Sequence, residues 1–224
     1  MTEKKTKPKN TQVTTVGIDR VYQGDVLKDV EYIESVIEKD GEIEVSKIIF
    51  PLVIVLTQDC DLKQDNRNMV EGKENGEKTD KSNQDKFLIS VLVAPIYNME
   101  HVLVGEHLSQ LKLIMRKFDS NTEINILEDN RLPRYHYLSF DDSLHTPPSV
   151  IDFKHYFSVN LEYLKARKRD KGFLCAATPL FRERISQRFS EYLARIGLPN
   201  SSDINDKWLI STAWKMECDD QNTQ

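Results

Sequence analysis

The run from residue 50 to residue 62, Phe50-Pro-Leu-Val-Ile-Val-Leu-Thr-Gln-Asp-Cys-Asp-Leu62, constrains this chain more than any other. Its first half is short and almost unbroken in apolar residues, the pattern of a strand buried on both faces. Its second half turns polar where such a strand leaves the core. Two carboxylates, an amide and a thiol sit together there. If the strand continues, Thr57, Asp59 and Asp61 share one face, while Gln58 and Cys60 take the other. Two carboxylates on one face bind a divalent cation or work as an acid/base pair. Cys60 lies between two acids, and like charge disfavours its thiolate. The plainer reading makes Cys60 a small core residue and lets the aspartates cap a turn. The expectation is a functional role for Asp59 and Asp61 and a structural one for Cys60.

Around this strand the chain reads as β-rich. Gly24-Asp25 interrupts a strand over 20–27, and Asp40-Gly41 is a hairpin turn between the strand-like runs 30–37 and 42–49. Pro51 opens the central strand, a position where proline is tolerated. Residues 63–86 are dominated by Asn, Asp, Glu, Lys and Gly, and read as a flexible insertion in an enlarged hairpin loop. A buried strand returns at 87–94. Asn98 caps a helix reaching about residue 117, weakened by Gly105. Residues 123–127, 134–140, 150–159 and 172–177 read as strands, and 161–167 as a short helix. The clearest helix spans 179–196, with Thr178 as N-cap, Pro179 at its first position and Gly197 at its end. Phe181, Ile185, Phe189, Tyr192, Leu193 and Ile196 form its apolar stripe. Another helix is read at 208–216.

The domain organisation follows. Residues 1–12 are a Lys/Thr-rich arm, and 13–160 a barrel-like domain containing the flexible insertion 63–86. Residues 161–216 are a helical extension packed on that domain, and 217–224 a polar tail.

A second candidate is Arg134-Tyr-His-Tyr-Leu138. On a strand, Arg134 and His136 share a face and suit a phosphate or proton transfer. Tyr135 and Tyr137 face the other way, to pack or to stack on a base. His155 alternates with Ile151, Phe153, Phe157 and Val159 as a satisfied core histidine, with Asp152 on the opposite face. Arg184 and Arg188, with Arg195, make a basic stripe on the long helix; solvent-facing ion pairs are its default role, partner binding the alternative.

Bulk properties narrow the classes. The 224 residues carry a net charge of −5, which disfavours a protein that coats nucleic acid. Three cysteines without CxxC spacing fit neither a disulfide framework nor a four-cysteine zinc site. No apolar stretch reaches the roughly 18 residues of a membrane span. A cytoplasmic protein without membrane contact is expected.

The order Gly24-Asp25-Val26, Pro51-Leu-Val-Ile-Val-Leu56 and Leu88-Ile-Ser-Val-Leu-Val-Ala-Pro95 resembles the SH3-like barrels of the PemK/MazF type, over residues 20–160. The resemblance implies an SH3-like barrel; with the helices read above, including the long C-terminal amphipathic helix, the expected fold class is α+β. The resemblance also implies a bacterial, toxin–antitoxin-like setting. Phe50 stands where toxin members have an arginine, and Ile96-Tyr97-Asn98 where they have a threonine. The barrel is carried over; the ribonuclease residues are not. Leu56 to Leu62 is also similar to uncharacterised bacterial proteins with a Thr-x-x-Cys-Asp signature.

Two functions stay open. One is a binding or regulatory module that contacts a partner protein or nucleic acid through Gln58, Arg134, Arg184 and Arg188. The other is a metal-dependent phosphodiesterase or nuclease-like enzyme. It would use Asp59 and Asp61 on a divalent cation, with His136 or Arg134 assisting.

Overall fold

The expected burial of the central strand on both faces is met over residues 53–56. Val53 and Val55 point into one hydrophobic core and Ile54 and Leu56 into a second, on the opposite face of the sheet. An unbroken Val/Ile run suits only a strand covered on both sides. The computed structural model describes residues 13–15, 19–74 and 84–195. The expected arm 1–12, the middle of the insertion at 75–83, the helix end at 196–199, the helix at 208–216 and the tail 217–224 lie outside them.

The central strand is the end of β3 (Glu42–Val55), which pairs antiparallel with β2 (Asp25–Lys39). The Asp40-Gly41 turn joins them with φ of +53° and +81°. A two-residue type I′ turn needs a positive φ at both positions, which Asp-Gly tolerates. The other strands are β1 (Val13–Thr14), β4 (Ser90–Asn98), β5 (Tyr135–Leu138), β6 (Ser149–Asp152), β7 (Phe157–Asn160) and β8 (Phe173–Ala177). Their order is β1-β8-β2-β3-β4-β6-β5, with β7 also pairing β4. The result is an α+β fold built on a curled antiparallel half-barrel sheet. Five α-helices accompany it among the described residues: α1 (Asp59–Glu74), α2 (Met99–Leu103), α3 (Asn121–Glu128), α4 (Leu161–Arg167) and α5 (Pro179–Leu193). None is long and apolar enough to cross a membrane.

Several expectations are corrected. Residues 63–74 continue α1 where a loop was expected. Leu62 and Asp65 are buried on it; Asp65 accepts the Leu88 amide at 3.0 Å and lies 3.4 Å from Lys165 Nζ. Asp59 and Asp61 in the first turn complement the helix dipole. The expected helix over 98–117 stops at Leu103. Gly105 has φ +75°, and a Cβ there would lie 2.4 Å from the Met115 carbonyl oxygen. The chain reverses at that glycine, and Phe118 N–H donates to Leu103 O at 2.9 Å.

Residues 123–127 are helical, because Ser120 Oγ accepts the Glu123 amide as an N-cap and outweighs the Ile124/Ile126 alternation. Pro51 lies inside β3 rather than opening it. It is left out of the ladder opposite Asp29, whose φ is +53°. Thr178 precedes α5, but its hydroxyl is buried without a partner and caps nothing. Residues 150–159 are two strands separated by the 3₁₀ turn Phe153–His155. The strand expected at 172–177 is present as β8, and it pairs with both β1 and β2, so the stretch read as a helical extension of the barrel-like domain contributes to the sheet itself.

Candidate functional site

The chain leaves β3 at Val55, and Asp59 begins α1. Two residues apart on a helix are about 200° apart around its axis, so Asp59 and Asp61 diverge. Half-buried Asp59 accepts Arg20 Nη2 at 3.0 Å, with Arg182 Nη1 at 3.7 Å. Asp61 and Gln58 are exposed, each 3.5 Å from the Sγ of Cys60. Cys60 is exposed too, contrary to its expected core position, since the helix turns Leu62 inward in its place. Among the described residues no group of three His, Cys, Asp or Glu side chains is placed to hold a metal ion. The divalent-cation pair expected at Asp59 and Asp61 is not assembled.

Arg134 and His136 do not act from one face. Arg134 precedes β5 and grips fully buried Asp152 with both ends of its guanidinium, Nε to Oδ1 at 2.8 Å and Nη2 to Oδ2 at 2.6 Å. His136 is buried on the other side, 6.3 Å from the Phe153 ring, and its Nδ1 has no partner. Burial, with Arg188 and Arg184 nearby, depresses its pKa to about 3, so the ring is neutral at pH 7. Arg188 donates to the carbonyls of Leu132 and Tyr135 at 2.7 and 2.9 Å, tying α5 to β5. Arg184 is exposed.

Two polar clusters escaped sequence reasoning. In the first, Asp25 and Lys168 are buried together at 2.6 Å, and Lys168 also donates to Arg20 O at 2.7 Å. Burial pushes the Asp25 carboxyl up to about 6 against the pull of Lys168. Gly24-Asp25 signalled only a turn, and Lys168 was hidden in a basic run. In the second, Asp152 also accepts the Lys154 amide at 3.0 Å and lies 3.1 Å from His155 Nδ1. Burial alone would raise the Asp152 pKa; hydrogen bonds from Arg134 and His155 hold it at about 2. Tyr97 OH is 3.3 Å from the same His155 nitrogen, and His107 Nε2 is 4.0 Å from Asp152. The turn Phe153–His155 breaks the expected alternation and brings Asp152 and His155 to one side.

Beside this second cluster the sheet splits. β4 pairs with β3 only at 93–95, the last pair being Val53↔Pro95. From Ile96 onward it pairs with β6 instead. Among the described residues, no strand pairs with β3 over 48–52 on the side away from β2. A cleft of about 360 Å³ opens there, between 48–52, 96–98 and the loop carrying His107, Leu108 and Leu111. Tyr97 and His107 line it, their ring centroids 4.9 Å apart. Burial lowers the His107 pKa, opposed by Asp152. The lining is largely aliphatic and aromatic and contains no lysine or arginine. A smaller depression of about 320 Å³ lies along α1, between Cys60, Lys63, Arg67 and Lys86. No protein-family model matches this chain, and no curated protein matches it.

Proposed function

We propose that this chain is a binding module that takes an extended segment of a partner protein into the cleft beside β3. The observation that carries the reading is the divergence of β4 from β3 after Pro95, which leaves a cleft along 48–52. A free sheet edge beside an apolar cleft is the arrangement used in strand addition. Main-chain hydrogen bonds give affinity there, and side-chain pockets give specificity. Ile48, Phe50 and Leu52 offer the edge, and Tyr97 and Leu108 the pocket. The absence of cations from the lining favours a peptide over nucleic acid, whose phosphates require them.

The same proposal extends to the scaffold. We read the curled sheet as an SH3-like barrel of the PemK type elaborated by helices, supported by the strand order of its Gly24-Asp25-Val26, 51–56 and 88–95 segments. In this reading the barrel is a recognition platform and not a ribonuclease.

The test is selection of binders from a library of displayed extended peptides, followed by amide NMR shifts. A selected peptide should shift the amides of 48–52. It should lose at least about tenfold in affinity in Ser109→Trp, which fills the cleft from an exposed position. Binders indifferent to that substitution, with no shift at 48–52, would refute the cleft.

A further inference from the structure

We infer that the protruding half of the β2–β3 hairpin is a second docking surface, shaped for a cationic, aliphatic segment of a partner protein. Only Asp25 to Leu27 of β2 pair with β8, and only Val53 to Val55 of β3 pair with β4. Beyond them, among the described residues, the two strands continue as a ribbon that pairs with no third strand. On this ribbon, register puts Ile33 opposite Lys47, Val36 opposite Val45 and Glu38 opposite Ile43. Directly opposed residues share a face. The register shift between Ile33 and Ser35 keeps Ile33 and Val36 on the same side, although they are three residues apart.

The consequence is one stripe of β-branched side chains: Ile33, Val36, Ile43 and Val45, exposed by 59, 60, 72 and 51%. Scattered exposed aliphatics are ordinary; a contiguous set on one sheet face marks an interaction surface.

The charge on the ribbon identifies the occupant. Residues 31–49 carry six carboxylates against two lysines. Lys47 is already held by Glu31 at 2.8 Å. Glu38, Glu42 and Glu44 have no cation partner among the described residues. A second copy would bring an equally acidic ribbon against this one, and nucleic acid or an anionic membrane would be repelled. By the same alternation Glu42 and Glu44 face the reverse side from Ile43 and Val45, so an extended segment lying along the ribbon edge, with lysine or arginine alternating with aliphatic residues, meets the stripe with one set of side chains and these carboxylates with the other. The stripe residues Ile33, Val36, Ile43 and Val45 do not line the cleft, which takes Ile48 to Leu52 of the same strand.

The experiment uses the full chain and a labelled nine-residue peptide alternating lysine and valine. Fluorescence anisotropy gives affinity, and amide NMR gives location. The lysine/valine peptide should bind with shifts centred on 33–45. Replacing its lysines by glutamate, or its valines by serine, should weaken binding by at least about tenfold. So should the double substitution Val36→Lys/Val45→Lys, checked by thermal melt for folding, and the charge reversal Glu42→Lys/Glu44→Lys. Ser109→Trp should leave this affinity unchanged, which separates the ribbon from the cleft. Binding unaffected by Val36→Lys/Val45→Lys overturns the inference, as does equal binding of the lysine/serine peptide. A parent dimer in solution that the same double substitution dissociates would make a second copy the occupant and also overturn it.

Discussion

The two ends of one hairpin, made of similar residues, have opposite fates. At the closed end, Val26, Leu27, Val30, Val53, Ile54 and Val55 are almost wholly buried. At the free end, Ile33, Val36, Ile43 and Val45 are mostly in water. β-branched content and the antiparallel ladder are common to both. What differs is the neighbours: β8 and β4 flank only the closed end, and helices and loops cover it from both faces. β-propensity therefore reports fitness for a pleated surface and leaves open whether that surface is covered. An isolated two-stranded ribbon is marginal in water, so the free end depends on its turn and its junction with the sheet.

The largest expected effect tests that contrast directly. Leu27→Ala, at a fully buried site, should cost about 2–5 kcal/mol in a denaturant melt. Val36→Ala, on the ribbon, should cost less than about 1 kcal/mol. Comparable losses would mean that the ribbon is packed in solution and would break the comparison.

The second effect follows pH and belongs to the packed part of the sheet, at His136 on β5. His136 in the folded chain takes a proton only near pH 3, whereas in the unfolded chain it does so below about 6.5. The unfolded state then binds more protons between those values, so this group removes stability as pH falls through that window. The stability of the parent minus that of His136→Gln should fall by about 1.4 kcal/mol per pH unit below pH 6.5. Asp25 works in the opposite sense. Its folded pKa, about 6, lies above its ordinary 3.8, so it adds stability as pH falls between them. The difference between parent and variant removes that contribution. A difference independent of pH would show that His136 is not held neutral. Ribbon amides followed by hydrogen exchange should show little of this dependence.

The smallest effect is local to the turn. Gly41 has φ +81° and open space around it, so Gly41→Ala meets no clash and only backbone strain, about 1 kcal/mol. Hydrogen exchange should quicken in the ribbon while the denaturation midpoint hardly moves. A large shift in the midpoint would couple the ribbon to the global fold.

The features legible in the sequence were those encoded by neighbours along the chain. Asp40-Gly41 specified its turn, the Val/Ile run at 52–56 its double burial, and the stripe through Ile185 and Phe189 its helix. Each signal is periodic or depends on one residue's φ, and so survives without knowledge of the rest of the molecule. Where two local signals conflicted, as at 123–127, the cap prevailed over the alternation.

Tertiary structure alone decided the candidate site. Arg134 meets Asp152 across 18 residues, Lys168 meets Asp25 across 143, and Arg20 meets Asp59 across 39. No local spacing encodes such pairs. Each exists because burial makes an unpartnered charge costly and the fold brings an opposite charge within reach. The cleft is the same kind of outcome. The residues of β4 read as one continuous strand, yet its first half belongs beside β3 and its second beside β6. Which strand lies next to which is set by chain-wide packing, and the gap along 48–52 is a product of that competition.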